Sequence, residues 1–154
     1  MMDSNNTAAT SSPAAERPVA NEALGSSKSP TPQTMILVCE DEVLIRGYLV
    51  DLLEEMGYGV LEAANGVGAI EQMSNTRIDL LITDLGLPDM PGIELARRLR
   101  NYWPLLPVLF ATGRSREDSG AIDGNTGYLA KPFTMKTLEA ALAKLFKSAT
   151  VSGI

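Results

Sequence analysis

Ile82-Thr83-Asp84-Leu85-Gly86-Leu87-Pro88-Asp89-Met90-Pro91-Gly92 is an apolar run that ends in one acid and gives way to a loop of Gly and Pro. Read back to Ile78, the run suits a strand covered on both faces. Asp84 then stands at the strand's carboxyl end, where open α/β sheets place their ligands.

The same reading extends outward in both directions. Met35-Ile36-Leu37-Val38-Cys39 is a second apolar run, and it breaks into Glu40-Asp41-Glu42. Ile45, Tyr48, Leu49, Leu52, Leu53 and Met56 recur at helical spacing before Gly57, a stop signal. Tyr58 to Leu61 reads as a strand, and Ala69, Ile70 and Met73 mark a short helix after Asn65-Gly66. Beyond Pro91-Gly92 a helix is expected to turn Ile93, Leu95, Ala96 and Leu99 inward and Arg97, Arg98 and Arg100 outward. Val108-Leu109-Phe110-Ala111 is a fourth strand closing on Thr112-Gly113. From Arg114 to Gly127 the pattern supports only a short or marginal helix. Tyr128-Leu129-Ala130 is a fifth strand ending at Lys131-Pro132, and Thr134 is an N-cap candidate for a last helix carrying Leu138, Ala141, Leu142 and Leu145. Strands alternating with helices imply an α/β fold with a parallel sheet and right-handed crossovers.

Composition narrows the function. The chain has 154 residues, 13 basic and 19 acidic, for a net charge of −6. That balance argues against a general nucleic-acid surface. With no histidine, neither a His-dependent hydrolase triad nor a His metal site can be built, and the chain cannot itself be a histidine phosphodonor. Cys39, the single cysteine, reads as a core thiol. No apolar run is long enough to span a bilayer. The N-terminus lacks the basic-then-apolar order of a signal peptide, so the expected compartment is cytoplasmic. Residues 1–33, rich in Ser, Ala, Pro and Thr, are expected to be a disordered tail. Residues 34–147 form the domain, and 148–154 are a short C-terminal tail, too little for an output domain.

Glu40 with Asp41, Asp84, Thr112 and Lys131 all fall at carboxyl ends of different strands. Singly, each has an ordinary explanation as a cap, turn or loop residue. Together they carry the charges phosphoryl transfer demands. Three gathered carboxylates repel unless a cation intervenes, and magnesium, which favours oxygen ligands, suits them. An Asp carboxylate can attack phosphorus. A lysine and a hydroxyl can meet the charge that develops. Gly86 and Gly113 leave room for a close backbone approach.

From Met35 to Phe146 the chain resembles the receiver domain of two-component response regulators. The residues that carry the likeness are Ile36-Leu37-Val38-Cys39-Glu40-Asp41-Glu42, Asp84 through Gly92, Thr112, and Tyr128-Leu129-Ala130-Lys131-Pro132-Phe133. The resemblance implies a flavodoxin-like, doubly wound five-stranded sheet of order 2-1-3-4-5. It implies Asp84 as the phosphoacceptor, with magnesium held by Asp84, Asp41, the Gly86 backbone carbonyl and, through water, Glu40. It further implies Thr112 and Lys131 on the phosphoryl group, Tyr128 as an aromatic switch moving with Thr112, and a cis Lys131-Pro132 bond. The implied partner is a sensor histidine kinase or phosphotransfer protein, with no nucleic acid and no membrane. Glu40 departs from the commoner Asp. Phe110-Ala111-Thr112-Gly113 is similar to a subgroup of single-domain receivers with a reduced or mobile fourth helix, although Arg114 and Ser115 do not continue its motif.

The expected function is therefore a stand-alone phosphoacceptor in a phosphorelay, not an enzyme beyond self-phosphorylation and slow autodephosphorylation. It would signal by protein contact or act as a phosphate sink. A metal-dependent phosphatase would carry a second acid where Gly86 stands. A non-phosphorylated interaction module would have no need of the acidic cluster and Lys131.

Overall fold

The computed structural model describes residues 33–113 and 124–153, with side chains through Lys147. The order is β1 (Met35–Cys39), α1 (Val43–Glu55), β2 (Gly59–Ala63), α2 (Gly66–Asn75), β3 (Leu80–Asp84), α3 (Gly92–Arg100), β4 (Val108–Thr112), β5 (Thr126–Ala130) and α4 (Met135–Gly153). All five strands pair in parallel in the order β2-β1-β3-β4-β5, as the resemblance implies. The N-terminal tail, apart from Gln33, and the marginal helix expected after Arg114 lie outside the described residues. The last helix extends past Lys147, where the sequence reading began a tail.

Strand side chains alternate between two cores. Ile36, Val38, Leu80 and Ile82 face α1 and α4, meeting Leu49, Leu52, Leu53, Leu138 and Leu142. Leu37, Cys39, Leu81 and Phe110 face α2 and α3, meeting Ala69, Met73, Leu95 and Leu99. Burial on both faces is why β1, β3 and β4 read as unbroken apolar runs. Among the described residues, no helix is long and apolar enough to cross a membrane.

Local signals set the helix ends. Gly57 takes a left-handed φ of 97°. The Gly57 and Tyr58 N–H groups donate back to Glu54 and Leu53 at 3.0 and 3.1 Å, so α1 closes as glycine permits. Asn65 Oδ1 caps α2 by accepting from Gly68 N–H at 2.7 Å. Thr134 Oγ1 accepts from Thr137 N–H at 3.2 Å, as its cap reading requires.

Two expected orientations on α3 are corrected. Ile93 is 46% exposed, while Gly92, Leu95 and Ala96 beside it are buried. Arg100 does not point outward: its guanidinium donates to the carbonyls of Leu106 and Asn125, each at 3.0 Å. Tyr48, expected on the inward face of α1, is also 46% exposed and lays its ring on Phe133.

Candidate functional site

Register assembles the site. Cys39 stands opposite Thr83, so Glu40 and Asp84, one residue on, leave neighbouring strands at the same level. Asp84 itself pairs with Ala111, and Thr112 with Ala130. Thr112 and Lys131 therefore complete one edge, and the Lys131 N–H donates to the Thr112 carbonyl at 2.9 Å. The Lys131–Pro132 peptide is cis.

Among the described residues, Glu40, Asp41 and Asp84 form a cluster whose carboxylate oxygens lie within 4.8 Å of one another. Glu40 is buried, Asp84 half-buried and Asp41 exposed. The Lys131 ammonium donates to Glu40 Oε1 at 2.9 Å and sits 3.5 Å from Asp84 Oδ1. Burial pushes the Glu40 carboxyl above its ordinary 4.5, despite the opposing hydrogen bond from Lys131. Burial would lower the Lys131 ammonium, but the hydrogen bond and charge of Glu40, with Asp84 behind them, carry it above 10.5. Three carboxylates against one ammonium leave negative charge over, and the exposed face at Asp41 gives access. An all-oxygen donor set with that imbalance fits a hard divalent cation such as magnesium.

The raised value at Glu40 has a consequence for stability. A group whose folded pKa is raised supports the fold below its unfolded pKa and loses that support as pH rises through the folded one. Without metal, Glu40→Gln is expected to lose less stability than wild type as pH rises from acid toward neutral. The two should run in parallel below the ordinary carboxylate value, where Glu40 is protonated in both states. Thermal melts in chelator at the two pH values check this.

Thr112 is buried at its strand tip. Tyr128 is half-buried and stacks on its cross-strand partner Phe110, with centroids 5.6 Å apart. Gly86 and Gly113 each have open space where a Cβ would stand.

Sequence reasoning gave no role to three residues that shape the site. A Cβ on Gly92 would lie 2.0 Å from the Asp84 carbonyl oxygen. Arg46 donates to the Glu40 carbonyl at 2.7 Å while pairing with Glu62 at 3.1 Å. Asp89 accepts from the Gly66 and Val67 N–H groups at 2.8 and 2.9 Å. Only the glycine carried a signal, its place just after Pro91 at a helix start. Cys39, by contrast, is the core thiol expected: it donates to the Asn65 carbonyl at 3.2 Å, and burial pushes it up to about 12.

Comparison with known proteins agrees with this geometry. The family model for the response regulator receiver domain matches residues 36–143. The chain is 37% identical over 118 residues to the response regulator receiver protein CpdR of Brucella abortus, covering 74% of this chain and 98% of that protein. It is 36% identical over 115 residues to the two-component response regulator PhoP of Pseudomonas aeruginosa, covering 73% of this chain but 51% of that protein, about half its length. Among solved structures, the response regulator TrrA of Thermotoga maritima, in complex with Mg(2+)-BeF, superposes with a TM-score of 0.66 at 30% identity, over 73% of this chain and 99% of that one.

Proposed function

The chain belongs to the response regulator receiver domain family, and from that premise we propose that it is a stand-alone receiver. In this reading it takes a phosphoryl group from a sensor histidine kinase or phosphotransfer protein onto Asp84 in a magnesium-dependent phosphorelay. The observation that carries this reading is the meeting of Glu40, Asp41 and Asp84 within 4.8 Å, with the Lys131 ammonium beside them.

An Asp84 carboxylate oxygen forms a bond to phosphorus as the bond from phosphorus to the donor imidazole nitrogen breaks. The leaving electron pair stays on that nitrogen, which takes up a proton. Magnesium would be held by Asp41, Asp84, the Gly86 carbonyl and, through water, Glu40, and would supply positive charge against that of the phosphoryl group. Lys131 pairs with the new phosphoryl oxygens in place of part of its contact with Glu40. The Thr112 hydroxyl donates to another oxygen, and Tyr128 follows Thr112 as the switch. The stand-alone reading draws on the 98% coverage of CpdR. A net charge of −6 favours protein contacts, or draining phosphate from another relay branch, over nucleic-acid binding.

Incubation with magnesium and a small phosphodonor, followed by mapping of the modified residue, tests the proposal. The expected result is a label on Asp84 that turns over slowly and is lost when magnesium is chelated. Continuous release of phosphate would instead indicate a phosphatase. An unlabelled protein would indicate an interaction module.

A further inference from the structure

The loop between β3 and α3 is fastened at both ends. At its base Gly86 bridges to Pro91, and the Gly92 N–H donates to the Leu85 carbonyl at 2.7 Å. At its tip the exposed Asp89 gives both carboxylate oxygens to α2: Oδ1 to Gly66 N–H at 2.8 Å and Oδ2 to Val67 N–H at 2.9 Å. Those two N–H groups hold the Asp89 carboxyl below its usual range. Met90 closes the same seam. A Cβ on Gly66 would come within 2.6 Å of the Met90 Sδ and Cε atoms. The cap residue Asn65 serves a different N–H, that of Gly68. Asp89 is thus a cross-loop clamp and not the cap of its own helix.

Gly86 lies in the base of this loop, three residues before the clamp at Asp89. It is exposed and has no side chain to anchor it, and among the described residues no atom beyond its chain neighbours comes within 4 Å of its Cβ position. Its peptide can keep one orientation only if the loop around it is held. We infer that Asp89 is a positioning residue for the metal centre. By clamping the loop to the N-terminus of α2, it keeps the Gly86 carbonyl beside Asp84 and so sets the affinity for magnesium. This rests on the proposed reading of Asp84 and Gly86 as magnesium ligands. Groups one step removed from a metal's ligands commonly change its affinity by about 10- to 100-fold when removed.

The test is calorimetric titration of magnesium into wild type, Asp89→Ala, Asp89→Asn and Asn65→Ala, with thermal melts and phosphodonor labelling alongside. Asp89→Ala should weaken magnesium binding about tenfold or more, with the labelling rate at saturating magnesium little changed. Asp89→Asn, which keeps one acceptor, should fall between. Asn65→Ala removes a neighbouring cap bond from the same helix without touching the loop. It should lower the melting temperature and leave magnesium affinity at the wild-type value. Equal affinity in wild type and Asp89→Ala would overturn the inference. So would an equal loss in Asn65→Ala, because helix stability alone would then explain the effect. A wild type that neither binds magnesium nor takes label at Asp84 would overturn the proposed function, and this inference with it.

Discussion

Asp84→Asn is expected to fold, to melt at or above the wild-type temperature without metal, and to take no phosphoryl group. An amide at this position has no anionic oxygen to attack phosphorus. Labelling should fall by at least about three orders of magnitude, the scale of losing a nucleophile. Stability moves the other way because the substitution removes one of three crowded carboxylates. Lys131 keeps its 2.9 Å partner in Glu40, so no buried charge is left bare. Phosphodonor labelling read by intact mass, with a melt on the same sample, checks both halves. Label retained on the variant would place the acceptor elsewhere.

Gly92→Ala should damage both stability and chemistry through a single methyl group. The added carbon would lie 2.0 Å from the Asp84 carbonyl oxygen, 3.0 Å from its carbonyl carbon and 3.2 Å from the Leu85 Cα. All three are backbone atoms, so no side chain can swing aside. Relief must come by moving either the start of α3 or the peptide that carries Asp84. Overpacking of this kind costs about 3 kcal/mol at the upper end of its usual range. A displacement of about 1 Å at a reacting group can cost about 100-fold in rate. Chemical denaturation and labelling kinetics measure the two effects. Gly86→Ala, six residues away in open space, should change stability little.

These two glycines mark what the sequence could and could not reveal. A glycine is legible as a turn or helix start, but its tight contacts come from residues that only the fold brings near. β1, β3 and β4 were legible because burial on both faces leaves an unbroken apolar run. β2 and β5 lie at the sheet edges, where Glu62 is exposed and Thr126 and Gly127 only half-buried. β2 therefore ends two residues later than its apolar signal, and β5 begins two residues earlier. Arg100 was read outward because charge usually means solvent, whereas its partners, the Leu106 and Asn125 carbonyls, belong to separate segments. In the site, Glu40, Asp84, Thr112 and Lys131 stand at strand tips, which periodicity can locate. Asp89 stands in a loop, and its meaning lies in two amides of another helix.

The placement of β1 in the interior of the sheet bears on how the chain matures. Its Ile36, Leu37 and Val38 are wholly covered in the finished fold, yet one flank waits for β3, which emerges from the ribosome only after α1, β2 and α2. Parallel pairings of this kind close late, because long loops must form first. Until Leu80 arrives to pair with Ile36, the nascent half-sheet carries an unsatisfied apolar seam. During synthesis that seam is where holdase chaperones, or a second unfinished copy, would find their grip.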